Sequence, residues 1–207
     1  TAIIVIIWVF VFSCFRFRSS ITIVFAFVAT HNHFALDRGG KVFKQSAPVI
    51  KLPKGATEEQ HLELLGLLNS STACFWMKQV FFCKGSTVDS KGARQTTVPF
   101  EDFYQHDGTK LKQFPIPAEK PLALAQKLDT LVQEMAKLTP VVLVKLDTPT
   151  AAVLADAQQR YEEIRSRMIT LQEELDWQCY GLYGLTNDEY RVSDVTALPA
   201  GNLGERA

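Results

Sequence analysis

The stretch KGATEEQHLELLGLLNSSTACFWMKQVFF, residues 54–82, decides the fold class, because it predicts two short helices inside a region otherwise rich in β-forming residues. Thr57 followed three residues later by Gln60 is a capping-box pattern that marks a helix start. The predicted buried face of this helix consists of Leu62, Leu65 and Leu68. A second short helix is expected after Asn69 and Ser70, with its aromatic and sulfur-containing side chains in the core: Phe75, Trp76 and Met77.

Strand patterns flank this helical hairpin on both sides. ITIVFAFVA (residues 21–29) and KVFKQSAPVIKLP (residues 41–53) are β-like runs separated by a Gly39-Gly40 turn, and two prolines make the second run an edge or broken strand. FEDFYQHDGTKLKQFPIP (residues 100–117) returns to strand character, with Asp107-Gly108 predicted as a hairpin turn. We therefore expect a small β-rich module over residues 20–118.

The tail of the chain predicts two long helices. The first apolar stripe repeats at intervals of three and four residues, and so does the second. The first stripe comprises Leu124, Leu128, Leu131, Met135 and Leu138, and the second comprises Leu154, Ala157, Tyr161, Ile164, Met168, Leu171 and Leu175. Residues 119–180 are thus expected to form an antiparallel, coiled-coil-like helix pair that acts as a spacer, and residues 181–207 to start a following segment. The predicted fold class is α+β.

Bulk composition argues against binding through the charge of the whole chain and against a fold held by disulfides. The 207 residues have zero formal net charge and are 47% hydrophobic, which is typical of a globular protein and gives no whole-chain attraction to nucleic acid. The four cysteines are widely and irregularly spaced, which favours reduced thiols in a cytoplasmic protein over a disulfide framework. Because the chain begins at Thr1, we expect it to be a fragment of a longer protein.

Residues 1–19 are strongly apolar and contain no acidic side chain. Three interpretations remain open: buried strands, a membrane-associated end, and a translation artefact at the edge of a gene fragment. The apolar runs are shorter than the roughly 18–20 residues that a membrane-spanning helix needs. A membrane partner is therefore not favoured, although a membrane-tethered coiled-coil adaptor remains an alternative function.

The polar stretch CKGSTVDSKGARQTTV, residues 83–98, is the first candidate for a binding loop, because long structureless loops in compact domains are usually functional or disordered. Its side chains suit phosphate contacts and base edges in double-stranded DNA. The candidates in it are Lys84, Lys91, Arg94, Gln95 and Thr96. A second group flanks the glycine turn: Arg38, Lys41 and Lys44.

The letters His31-Asn32-His33 suggest an HNH-type nuclease, and a metal enzyme built on these histidines with Asp37 or His106 is a second alternative. In a strand, His31 and His33 share one face and Asn32 points away. Two imidazoles are too few for a closed zinc site, which takes about four ligands. Polar residues at the end of a strand remain the competing interpretation, and no metal ligand is assigned.

Four segments carry a resemblance to a known family: FALDRGGKVFKQSAPVIKLP, LLGLLNSSTACFWMKQV, FEDFYQHDGTKLKQFPIP and LDWQCYGLYGL. From about Ser20 onward the chain resembles the C-terminal part of the adenine-specific DNA methyltransferases of BREX phage-defence systems, which are similar to fused restriction-modification methyltransferases. The resemblance implies a DNA target-recognition module attached to an upstream methyltransferase domain. It also implies S-adenosylmethionine as cofactor of the parent protein, and other phage-defence subunits as partners.

The catalytic motif of that family contains Pro-Pro, and no Pro-Pro occurs in this sequence. The family's Gly-rich cofactor loop is missing as well. We therefore assign no catalytic or cofactor-binding residue to the chain itself, and we expect methyl transfer to reside in the parent protein.

Overall fold

A computed structural model of the chain describes residues 21–85 and 102–187, and these contain six strands and six helices. The predicted α+β class is confirmed. The described residues fall into two compact units, which divide between Lys120 and Pro121.

The first unit contains two small antiparallel sheets of three strands each. The strands are β1 (Thr22–Phe25), β2 (Val28–Ala29), β3 (Phe34–Asp37), β4 (Val49–Ile50), β5 (Phe82–Gly85) and β6 (Phe103–Gln105). In the first sheet β1 lies between β3 and β4, and in the second β6 lies between β2 and β5.

The stretch ITIVFAFVA does not form one strand, as the sequence suggested, but contributes β1 to one sheet and β2 to the other. Between them, the backbone N–H of Phe27 donates to Ser46 O at 3.0 Å, and its carbonyl accepts from the N–H of His106 at 2.8 Å. The second predicted run is broken, as its prolines indicated, and leaves only β4. Main-chain hydrogen bonds therefore fix where the chain passes from one sheet to the other.

The predicted helical hairpin is confirmed as α1 (Glu58–Leu68) and α2 (Ser71–Val80). Thr57 Oγ1 accepts from the N–H of Gln60 at 3.3 Å, and Gln60 Oε1 accepts from the N–H of Thr57 at 3.0 Å, which completes the capping box. Ser70 Oγ accepts from the N–H of Ala73 and starts α2 in the same way. The buried leucines of α1 are Leu62, Leu64, Leu67 and Leu68, whereas Leu65 is half-buried.

The end of α1 holds the free edge of the first sheet. Asn69 Oδ1 accepts from the N–H of Phe34 at 3.0 Å, and Asn69 Nδ2 donates to Phe34 O at 2.9 Å. Asn32 Nδ2 donates back to Leu68 O at 2.7 Å. Because β3 is an edge strand, the Asn69 amide satisfies backbone groups that another strand would otherwise pair with.

Two local predictions are wrong. Asp107-Gly108 is not a hairpin turn: Asp107 Oδ1 accepts from the N–H groups of Thr109 and Lys110 at 2.9 and 3.0 Å and caps a short helix, α3 (Gly108–Leu111). Phe75 is not in the core, since it is 69% exposed. Met77 is buried as expected, and Trp76 packs edge-on against Phe114.

The second unit contains α4 (Leu122–Lys137), α5 (Pro140–Leu146) and α6 (Ala151–Leu182). The segment expected as a plain link between two helices forms α5, with Pro140 in its first turn. α4 packs against α6, and three positions of the second apolar stripe are buried: Ala157, Leu171 and Leu175. Leu154 of the same stripe is exposed. Among the residues described, no helix has the length and hydropathy that crossing a bilayer would require.

Candidate nucleic-acid interface

The polar stretch starts on an exposed sheet edge. β5 is an edge strand paired antiparallel with β6, and the pairing shifts register between Cys83 and Gly85. Lys84, at that irregularity, is exposed. The other four residues predicted to read DNA in this stretch, Lys91, Arg94, Gln95 and Thr96, lie outside the described residues. The structure therefore shows where the first residues of the polar stretch lie, on β5.

In the second predicted group, Arg38 and Lys41 each lie close to a carboxylate. Arg38 Nε and Nη2 both donate to Glu58 Oε1, at 3.0 and 2.7 Å. Lys41 Nζ lies 3.8 Å from the Asp37 carboxylate, while Lys44 is exposed. Surface ion pairs are typically worth 0–1 kcal/mol, so such pairs can exchange for contacts to phosphate.

Two further lysines, one on each face of the second sheet, were missed by the sequence analysis. Lys110 Nζ lies 3.4 Å from the ring centroid of Phe82 and donates to Val80 O. Lys78 Nζ lies 5.8 Å from the ring centroid of Tyr104. Both are cation–π contacts, which hold an ammonium group over an aromatic face. No sequence pattern identifies these pairs, because each joins residues of different elements.

One row of the second sheet has an exposed apolar side chain at each end. Val28 lies opposite Gln105, and Gln105 lies opposite Phe82, so that all three side chains point to the same face. Val28 is 42% exposed and Phe82 is 64% exposed. With Lys110 over Phe82, this row combines apolar surface with a positive charge.

The local charge around β5 and β6 differs from the neutral whole chain. Residues 71–85 and 102–114 contain four lysines, Lys78, Lys84, Lys110 and Lys112, against two aspartates, Asp102 and Asp107. The Asp107 carboxylate is engaged in capping α3. Within the part of the chain that the structure describes, none of these four lysines forms an ion pair. This surplus of positive charge suits a polyanion.

The histidines named by the nuclease alternative do cluster, but as a pair and a buried neighbour. The rings of His31 and His33 lie 4.2 Å apart, and His31 Nδ1 is 2.6 Å from Thr30 Oγ1. His106 is buried against Phe81, with no partner for its Nδ1 among the described residues. Burial lowers the pKa of His106; a backbone hydrogen bond to Tyr104 opposes this, and the nearby charges of His33 and His31 lower it further.

No group of three or more His, Cys, Asp or Glu side chains within residues 21–85 and 102–187 is arranged to hold a metal ion. Asp37, the fourth residue of the nuclease alternative, accepts a hydrogen bond from the N–H of Gly39 and lies near Lys41. Metal-dependent cleavage therefore has no candidate centre in the described part of the chain.

A cavity of about 730 Å³ lies in the first unit beside the start of α1. It is lined by the 52–56 segment, by α1 and by residues 116–118, and Lys120 lies 3.8 Å from Glu63 on its wall. Two of its polar groups already have partners: Lys120 in this ion pair and Gln60 in the capping box.

No protein-family model matches the chain. The chain is 52% identical over 187 residues to "Adenine-specific methyltransferase PglX" of Streptomyces coelicolor (strain ATCC BAA-471 / A3(2) / M145), an alignment covering 88% of this chain. The same alignment covers only 16% of the relative's length. The resemblance predicted from sequence is thus confirmed: the chain is similar to one segment of the adenine-specific methyltransferase PglX.

Proposed function

We propose that the chain is the DNA-recognition segment of a site-specific DNA N6-adenine methyltransferase of a BREX phage-defence system. The observation that carries this proposal is the 52% identity to PglX over 88% of the chain. In this proposal residues 20–118 form the recognition module and residues 119–180 the helical spacer, and the parent protein acts on double-stranded DNA in the cytoplasm.

The proposed mechanism separates anchoring from reading. Lysines hold backbone phosphates, which fixes the orientation of the module on the duplex but carries no sequence information. Lys84 at the exposed edge of β5, together with Lys110 over Phe82, supplies this anchoring, and Lys78 over Tyr104 adds a positive charge on the other face of the sheet. Arg38, Lys41 and Lys44 provide secondary contacts.

Sequence reading is assigned to the polar stretch that begins at Lys84. Arg94 suits the major-groove edge of guanine, Gln95 that of adenine, and the methyl group of Thr96 that of thymine. Lys91 adds a phosphate contact within the same stretch. The stretch continues from β5, which is hydrogen-bonded to β6.

Methyl transfer belongs to the parent protein in this proposal. Its upstream methyltransferase domain would bind S-adenosylmethionine and receive the flipped adenine, which must leave the base stack to reach the methyl donor. The present chain would position that domain over its target site, and other phage-defence subunits would act with the parent protein.

The experiment is fluorescence anisotropy of the 207-residue chain with a labelled duplex at several salt concentrations. Each lost phosphate contact lowers the slope of log K against log salt by about 0.9. A Lys84→Ala, Lys91→Ala, Arg94→Ala variant should lose at least tenfold in affinity and show a shallower slope. The matched control removes three lysines of the second unit, through Lys127→Ala, Lys137→Ala and Lys145→Ala. Equal losses in both variants, or a chain that ignores duplex DNA at low salt, would refute the proposal.

A further inference from the structure

Phe82 is an aromatic side chain that lies on an exposed sheet edge. It is 64% exposed, although aromatic rings usually contribute to protein stability through the area that they bury. Its strand β5 is an edge strand that pairs with β6. A ligand can therefore approach the ring from the face of the sheet as well as from its edge.

A lysine holds this ring in place. Lys110 Nζ lies 3.4 Å from the centroid of the Phe82 ring, and the same ammonium group donates a hydrogen bond to Val80 O. These two contacts fix the lysine over one face of the ring. Because the side chain is still largely exposed, its accessible surface consists of the ring edge and the opposite face. A ring that is already oriented loses little conformational freedom when a planar ligand stacks on it.

Gln105 lies beside the ring on the same face of the sheet. It is paired directly with Phe82 across the β5–β6 ladder, which places their Cβ atoms about 5 Å apart. Its side-chain amide both donates and accepts hydrogen bonds, as the edges of nucleobases do. Val28, paired with Gln105 on its other side, extends the apolar surface. The row thus offers a planar heterocycle a stacking surface and a hydrogen-bonding group next to it.

Positive charge accompanies this row. Lys84 is exposed two residues after Phe82, and Lys112 is exposed two residues after Lys110. The carboxylate of Asp107, close to this row in sequence, is engaged in capping α3. An apolar protein partner would need only the apolar side chains, whereas the lysines add attraction to an anion. Nucleic acid is the class of ligand that combines planar bases with phosphate, and aromatic rings beside basic side chains are how proteins bind unstacked strands.

We propose that Phe82 and Gln105 form a platform for one unstacked nucleobase, with Lys84 at a neighbouring phosphate. Stacking on an aromatic ring increases affinity about tenfold or more per base. The bases of a closed duplex stack on one another, so the platform selects DNA in which a base is unpaired.

This inference rests on the DNA-recognition function proposed above and deepens it. An adenine that leaves the stack for methylation leaves its partner base on the other strand unpaired. Such an unpaired base is the ligand that the platform fits.

The test is fluorescence anisotropy of the 207-residue chain with a fully paired duplex and with the same duplex carrying one unpaired adenine. The unpaired adenine should increase affinity at least tenfold. Phe82→Leu keeps an apolar side chain but removes the ring, so it should abolish this preference and leave binding to the paired duplex unchanged. Phe82→Tyr should retain the preference, and Gln105→Leu should reduce it about fivefold through loss of one hydrogen bond. Phe75→Leu, at a phenylalanine of α2 that is 69% exposed, is the matched control and should change neither affinity.

A second measurement uses the unaltered chain. A duplex with an unpaired 5-iododeoxyuridine, irradiated while bound, should crosslink to Phe82, because this base reacts with an aromatic ring stacked on it. Peptide mass spectrometry then identifies the attachment site. Attachment elsewhere but not at Phe82 would overturn the inference.

The outcomes separate this inference from the proposed function. Salt-dependent binding of the paired duplex without any preference for the unpaired adenine, or equal effects of Phe82→Leu and Phe75→Leu, would overturn the platform and leave the proposed function standing. Binding of only the duplex with the unpaired base, lost in Phe82→Leu, would support the platform and refute recognition of intact duplex DNA. A chain that binds neither DNA would overturn both.

Discussion

Replacing Asn69 by Ala should destabilise the first unit by about 2–3 kcal/mol. The change removes two hydrogen bonds, at 3.0 Å to the N–H and at 2.9 Å to the carbonyl of Phe34, in a partly buried environment. A typical hydrogen bond contributes about 1 kcal/mol net, and a buried group left without a partner costs about 1–3 kcal/mol. Water can reach a partly buried site and recover some of this cost, which sets the lower end of the range.

The assay is urea unfolding followed by the fluorescence of Trp76, in a background carrying Trp8→Phe and Trp177→Phe. Trp76 reports on the first unit because its ring packs edge-on against Phe81 and Phe114, at centroid distances of 6.2 and 5.3 Å. The midpoint should fall while the slope with urea stays constant, as expected for a change in stability alone.

Asn187→Ala is the matched control, since Asn187 is an exposed asparagine near the end of the described residues. It should shift the midpoint by an amount close to zero. If Asn69→Ala costs less than about 0.5 kcal/mol, the reasoning that its amide replaces a neighbouring strand is refuted.

Three further predictions concern stability. Thr57→Ala removes the side-chain acceptor at the start of α1 and should cost about 1 kcal/mol in the same urea assay, whereas a change near zero would show that the capping box is redundant. Burial lowers the pKa of His106 below its ordinary 6.5, so the unfolded chain binds more protons in acid and the stability of the first unit should fall as the pH drops below about 6.5. That fall contributes at most about 1.4 kcal/mol per pH unit, and His106→Gln should flatten the pH dependence; an unchanged profile would contradict the assignment. Leu175→Ala should cost about 3 kcal/mol of helix stability measured by circular dichroism, because Leu175 is 1% exposed, whereas Leu146→Ala, at a side chain 79% exposed, should cost less than about 0.5 kcal/mol; similar costs would refute the burial argument.

Local signals in the sequence predicted the helices well. The capping box at Thr57 and Gln60 places the start of α1 correctly, because the hydrogen bonds involved join residues three apart. The same holds for Ser70 at the start of α2. Such contacts are present whatever the rest of the chain does, and so a single sequence can reveal them.

Features that depend on distant partners were missed. ITIVFAFVA has uniform β character, and only its partners Ser46 and His106 determine that it serves two sheets. Asp107-Gly108 is compatible with both a hairpin turn and a helix N-cap. In the structure Asp107 is the N-cap of α3. The segment after α4 was expected to be a link between two helices, but it forms α5. Pro140 fits a first helical turn, so a signal for this helix was present in the sequence.

In the candidate interface, too, local features were predicted and features that depend on distant partners were missed. Composition identified the polar stretch and placed Lys84 at its start, which the structure locates on an exposed edge. It did not identify Lys78 or Lys110, whose positions depend on Tyr104 and Phe82 in other elements. Nor did it show that Arg38 has Glu58 as a partner twenty residues away.

The passage from β1 to β2 through Phe27 has a consequence for which sequence changes the first unit can accept. The N–H of His106, directly after β6, donates to Phe27 O, and the N–H of Phe27 donates to Ser46 O ahead of β4, so this registration does not depend on side-chain identity. Substitutions in the stretch between β5 and β6 therefore leave this registration intact, whereas deletion of one residue near Phe27 would invert the faces of β2. If the chain has the DNA-recognition function proposed above, point mutations in that stretch could change the bases it selects while these main-chain bonds stay the same.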